Sequence, residues 1–141
     1  MSGSGEIRWK QRYENFSKAI ALLGEALEAK PIEEYSRLEQ EGIVQRFEYT
    51  FELAWKTLKD KLLYEGYDEK TPRSVIRRAF DVGYVTEDEA EIWLDSLGKR
   101  NLLSHTYNES VAQQALQFIA ERYYPLLKSL HRRLRDEVQP S

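Results

Sequence analysis

Val44-Gln45-Arg46-Phe47-Glu48-Tyr49-Thr50-Phe51-Glu52-Leu53-Ala54-Trp55-Lys56-Thr57-Leu58-Lys59-Asp60-Lys61-Leu62 decides the fold. Val44, Phe47, Phe51, Ala54, Leu58 and Leu62 recur at spacings of three and four, and Trp55 widens the same apolar face. That is the stripe of a helix with one side in a core. Gly66 closes it; Gly42 leaves its start open, anywhere from Glu33 to Ile43. Upstream, Trp9, Tyr13, Phe16, Ile20, Leu23 and Leu27 form a second stripe that Pro31 ends. Thr71 before Pro72 is a cap with proline at the first helical position, opening a short helix that ends near Gly83. Thr86-Glu87-Asp88-Glu89 is a capping box for the next helix. A last helix from Asn108 or Ser110 carries Ala112, Leu116, Ile119, Tyr123, Leu126, Leu130 and Leu134, with a kink expected at Pro125. Period-two alternation and Asn-Gly hairpins are missing. The expected fold is all-α: an antiparallel up-down four-helix bundle with an extra short helix.

At 141 residues the chain is long enough for one domain, read as 6–135 between a flexible leader at 1–5 and a disordered tail at 136–141. Residues are 41% hydrophobic and 32% charged, as in a globular protein with a solvated surface. Cysteine is absent, which excludes disulfides and thiolate metal sites. No apolar run approaches the roughly 20 residues that span a bilayer, and Met1-Ser2-Gly3-Ser4-Gly5 has no signal-peptide character. A cytoplasmic location and no membrane partner are expected. The net charge of −3 argues against a general duplex-binding protein. Basic residues nevertheless cluster at Arg73, Arg77 and Arg78, and again at Lys128, His131, Arg132, Arg133 and Arg135. These read as solvated helix faces or, for the first cluster, as a surface that tracks RNA. His131 is expected in solvent.

The chemistry is concentrated in Arg100-Asn101-Leu102-Leu103-Ser104-His105-Thr106-Tyr107. Imidazole titrates near neutrality, and a guanidinium is a planar fork suited to phosphate. On a helix turning about 100° per residue, Trp93, Leu94 and Leu97 share a sector that, continued, receives Arg100, Asn101, Ser104 and His105. The stripe changes from apolar to polar. Such groups cost several kcal/mol to bury without partners, so they line a cleft, an interface or a helix end. The plainer reading has His105 capping a helix, Arg100 pairing with Asp95 and Asn101 bonding free carbonyls. Glu52 precedes Lys56 by four and reads as a surface ion pair; Trp55 reads as core. No His/Asp/Glu spacing suggests a metal site, and no cofactor is implied.

Arg-x4-His-x-Tyr with Asn after the Arg resembles the signature of HEPN-domain proteins. More closely, it resembles HepT-like toxins and the nucleotidyltransferase substrate-binding proteins encoded beside small MNT-type nucleotidyltransferases. Gln45–Lys59 is similar to that family's second helix and Thr71–Phe80 to its short third one, and Trp93-Leu94-Asp95 leads into the motif. The resemblance covers about residues 6 to 135. It implies a HEPN-type, metal-independent endoribonuclease, the toxin of a two-gene toxin-antitoxin module neutralised by a cognate nucleotidyltransferase. Arg100, His105 and Asn101 would be catalytic: His105 as base or acid, Arg100 on the phosphoryl oxygens, Asn101 as orienter. It also implies a homodimer, whose two-fold axis would set both His105 rings across one groove, and Tyr107 as the residue that accepts adenylate. The surplus aromatics Trp9, Trp55 and Trp93 point to a dimer as well. The alternative is a non-catalytic substrate-binding or scaffold subunit of a two-component nucleotidyltransferase.

Overall fold

The computed structural model describes residues 3–99 and 109–138, the side chains of 109–111 excepted. The described residues are helical throughout their regular structure, without strands. Helix α1 spans Gly3–Glu28, and a 3-10 turn at Ile32–Glu34 leads to α2, Arg37–Tyr64. The short α3 spans Pro72–Val82 and α4 spans Glu87–Gly98. The last arm is α5 (Glu109–Phe118), a π-turn (Ile119–Tyr123) and α6 (Tyr124–Val138). α1 begins inside the stretch read as a leader, and α6 runs into the stretch read as a tail.

Capping chemistry sets the starts. Thr71 and Thr86 accept the backbone N–H groups of Ser74 and Glu89, as their sequences foretell. α2 starts the same way: Ser36 accepts from Glu39 N–H while the Glu39 carboxylate accepts from Ser36 N–H at 2.9 Å. That reciprocal box settles the open start of α2. α3 ends at Gly83, whose φ of 94° is left-handed backbone suited to glycine. Pro125 lacks the N–H that an α-turn would use. The arm absorbs this by widening, with Tyr124 N–H bonding to Ile119 C=O across the π-turn.

Pairwise contacts give the directions. Arg12 bonds Asp60 and Arg46 bonds the Leu22 carbonyl, so α1 and α2 are antiparallel. Tyr13 faces His131 while Gly24 faces Tyr124, so α1 and the last arm are antiparallel too. Glu89 meets Ser129 and Asp95 meets Tyr123, which sets α4 against that arm. The four long elements therefore alternate up, down, up, down, with α3 added between α2 and α4. At Gly24 a side chain would collide with the Tyr124 hydroxyl, so glycine permits that close approach.

The core is continuous and aromatic-rich. Phe51 packs 5.0 Å from Trp93 and Phe47 stacks on Tyr123 at 5.5 Å. Trp9, Trp55 and Trp93 are 1%, 8% and 0% exposed. One chain therefore hides all three, and the aromatic surplus gives no reason for a dimer. Asp60 and Lys61 are buried charges, and each is paired, as burial demands. Asp60 takes Arg12; Lys61 lies 3.3 Å from both Glu65 and Glu137 and 4.9 Å from the Trp9 ring centroid.

Candidate functional site

Arg100, Asn101, His105 and Tyr107 lie outside the described residues. What is described is the end of α4 that precedes their segment. α4 stops at Gly98, with Lys99 as its cap bonded back to the Asp95 carbonyl. The expected continuation of the Trp93, Leu94 and Leu97 sector into Arg100, Asn101, Ser104 and His105 lies outside the described residues.

The end of α4 is anchored at Asp95. The Tyr123 hydroxyl donates to Asp95 Oδ2 at 3.0 Å. Lys99 Nζ approaches the same oxygen at 3.5 Å and Arg122 Nη1 at 3.6 Å. Lys99 also covers the Phe118 ring, 4.1 Å from its centroid. Burial, and then the bond to Asp95, push the Tyr123 phenol well above its ordinary range, so it stays a donor. Asp95 thus gathers Tyr123, Lys99 and Arg122, and together they fix the α4 terminus to the π-turn. The Asp95–Arg100 pairing of the plainer reading involves a residue outside the described set. Sequence reasoning missed the Tyr123–Asp95 bond because Tyr123 falls on the apolar stripe and reads as core alone.

The three arginines of α3 differ in their surroundings. Arg73 and Arg77 lie one turn apart on its outer side. Arg78 Nε bonds Glu69 Oε2 at 2.9 Å, and its guanidinium lies 4.9 Å from the Tyr67 ring centroid. Arg77 also borders a groove of about 350 Å³ between α3 and α4, whose rim carries Asp81, Glu87 and Glu91.

His131 is half-buried instead of free in solvent. Its ring stacks on Tyr13 at 4.9 Å and 11°, meets Phe16 edge-on at 5.5 Å, and places Nε2 2.7 Å from Ser17 Oγ. Burial first, then Arg135 and Arg132, hold its pKa below the usual value. On the second basic cluster, Arg133 bonds the Tyr84 carbonyl at 2.7 Å and Glu89 at 2.6 Å. Both residues are structural ties. Lys56 pairs with Glu52 at 3.3 Å, and Trp55 is core, as the sequence suggested. Among the described residues no group of three or more His, Asp or Glu side chains could hold a metal, and no helix is long and apolar enough to cross a membrane.

An up-down helical bundle with one short added helix defines the class. Residues 11–136 match the family described as nucleotidyltransferase substrate binding protein like. The chain belongs to that family. It is also similar to the crystal structure of a protein from Thermus thermophilus, with a TM-score of 0.76 and 36% identity, over 85% of this chain and 98% of that one. Among curated proteins, none matches.

Proposed function

We propose that this chain is the substrate-binding and scaffold subunit of a two-component nucleotidyltransferase, working in the cytoplasm with a small MNT-type partner. The family match across residues 11–136 is the observation that supports it. In this reading the bundle holds the catalytic partner, and the segment after α4 presents an acceptor group to it. Tyr107 is a suitable acceptor, since a phenol can attack the α-phosphate of ATP, releasing pyrophosphate and leaving adenylate on its oxygen.

A second reading is carried by one specific observation: Arg100, Asn101, His105 and Tyr107 occur together in the sequence. In a HEPN-type endoribonuclease toxin, a base takes the 2′-hydroxyl proton, the oxygen attacks the adjacent phosphate, and the 5′-oxygen leaves with a proton from an acid. The products are a 2′,3′-cyclic phosphate and a free 5′-hydroxyl. His105 fills one role per subunit, so a two-fold homodimer supplies both. Arg100 would hold the phosphoryl oxygens and Asn101 would orient them. Arg73 and Arg77 would track RNA, with Arg78 already engaged by Glu69.

The test mixes the chain with its cognate MNT-type nucleotidyltransferase, ATP and magnesium, then measures sedimentation, Tyr107 mass and RNA cleavage. A tight complex without cleavage by the free chain supports the scaffold reading. Metal-independent cleavage that ends when Tyr107 is adenylylated supports the toxin reading. No complex and no cleavage overturns both.

A further inference from the structure

We propose that the open groove between α1 and α2 binds a nucleotide, the ring against Tyr49 and Leu22 and the phosphates against Lys18 and Arg46. The inference rests on the substrate-binding reading for its setting only, since it concerns residues distinct from Arg100, Asn101, His105 and Tyr107.

The cavity is about 420 Å³, within the usual range for small-ligand sites. Ala19, a buried residue, forms part of its floor. Tyr49 and Leu22 stand 56% and 51% exposed along its walls, open to a ligand ring. Lys18 and Arg46 line the same space, and among the described residues no carboxylate does. In a chain with 24 Asp and Glu, a groove holding two cations and no acid selects an anion. Arg46 spends one N–H on the Leu22 carbonyl at 3.0 Å, which fixes its guanidinium at the rim and leaves other donors for phosphate. Asn15 and Gln45 add amides able to meet the polar edge of a base.

Gly42 is the independent observation. It lies inside α2, in ordinary helical backbone rather than left-handed backbone. Glycine weakens a helix interior, and close packing does not require it there: a Cβ at Gly42 would meet nothing within 4 Å. Gly42 does border both this cavity and a neighbouring one of about 260 Å³. Its missing side chain leaves that shared edge unfilled; Glu39 lines the neighbouring cavity, so the phosphates belong in the larger one, beside Lys18 and Arg46.

The test is calorimetric titration of the isolated chain with ATP, adenosine and inorganic triphosphate. ATP should bind, and each fragment should bind more weakly. The K18A/R46A pair should weaken ATP at least about tenfold, the loss expected for charge-assisted bonds. Gly42→Leu should raise thermal stability by restoring helix propensity, yet weaken ATP about tenfold or more by filling the shared edge. An unfolded variant cannot produce that opposite pair of changes. Unchanged ATP affinity in a stabilised Gly42→Leu chain, or no binding by the parent at millimolar ATP, overturns the groove. Either result leaves the nucleotidyltransferase complex measurable by sedimentation, so the two proposals fail separately.

Discussion

Tyr123 and Asp95, 28 positions apart, are joined by a 3.0 Å hydrogen bond that ties the π-turn of the last arm to the final turn of α4. The bond matters because the Arg100–Tyr107 segment starts directly beyond that turn. Tyr123→Phe keeps the ring on Phe47 and removes only the hydroxyl. A drop of about 1 kcal/mol in unfolding free energy is expected, the usual net value of one such bond. Chemical denaturation measures it, and the readout at Tyr107 or on RNA should fall further than stability does, since the anchor of the segment is loosened.

Glu89 carries a larger structural share. Its carboxylate completes the Thr86 capping box, accepts Ser129 Oγ at 2.6 Å and pairs with Arg133 at 2.6 Å. Burial raises its pKa, but the Ser129 hydroxyl, the Thr86 N–H and Arg133 outweigh that and leave it below the ordinary value. Glu89→Ala therefore removes a cap and two interhelical bonds. A loss of about 2 kcal/mol is expected, against under about 1 kcal/mol for Glu52→Ala, which pairs with Lys56 at the surface. Urea midpoints of the two variants decide it.

His131 gives the fold an acid-sensitive joint. Its pKa is lowered in the folded state, so the unfolded chain binds the proton more readily. Its contribution to stability is then complete above about pH 6.5, the unfolded value, and is lost as pH falls through the folded value. Charged His131 would face Arg132 and Arg135 from its own helix while losing its neutral stack on Tyr13. As pH falls below about 6.5 the parent should lose stability, and His131→Gln should flatten that part of the profile. An identical slope in both chains would remove His131 as the cause.

The starts of α3 and α4 were legible because capping is local: Thr71 through Ser74 and Thr86 through Glu89 contain all the groups that make the bonds. Ser36 and Glu39 carry the same signal for α2, but Gly42, a residue that weakens helices, left that start open. The missed burial of His131 has a geometric cause. Its basic neighbours suggest solvent, yet it lies four residues after Leu127 and three before Leu134, on the buried side of α6. The π-turn was half legible: Pro125 guaranteed an interruption, while only tertiary packing decided that the arm would widen instead of bending. The Arg100–Tyr107 motif lies outside the described residues; the α4 end that precedes it is held by Asp95 and Tyr123, which come from elements far apart along the chain and could not be paired from sequence.

The decisive prediction concerns His105 and Arg100. If the chain cleaves RNA, His105→Ala should abolish cleavage at an unchanged melting temperature, since a proton-transfer group typically contributes about 10²–10⁴-fold in rate. Arg100→Lys should be severely impaired as well, because an ammonium does not reproduce the planar two-pronged contact with phosphate. Under the scaffold reading neither change alters the complex with the nucleotidyltransferase, and Tyr107→Phe alone ends adenylate transfer to the chain. The two readings therefore separate in one panel of three variants. Cleavage assayed with a chelator present, complex formation by sedimentation and intact mass after ATP treatment are the readouts. Cleavage that survives both His105→Ala and Arg100→Lys, or that requires added divalent metal, removes the ribonuclease assignment; an unmodified Tyr107 within a tight complex leaves the scaffold role and removes the acceptor.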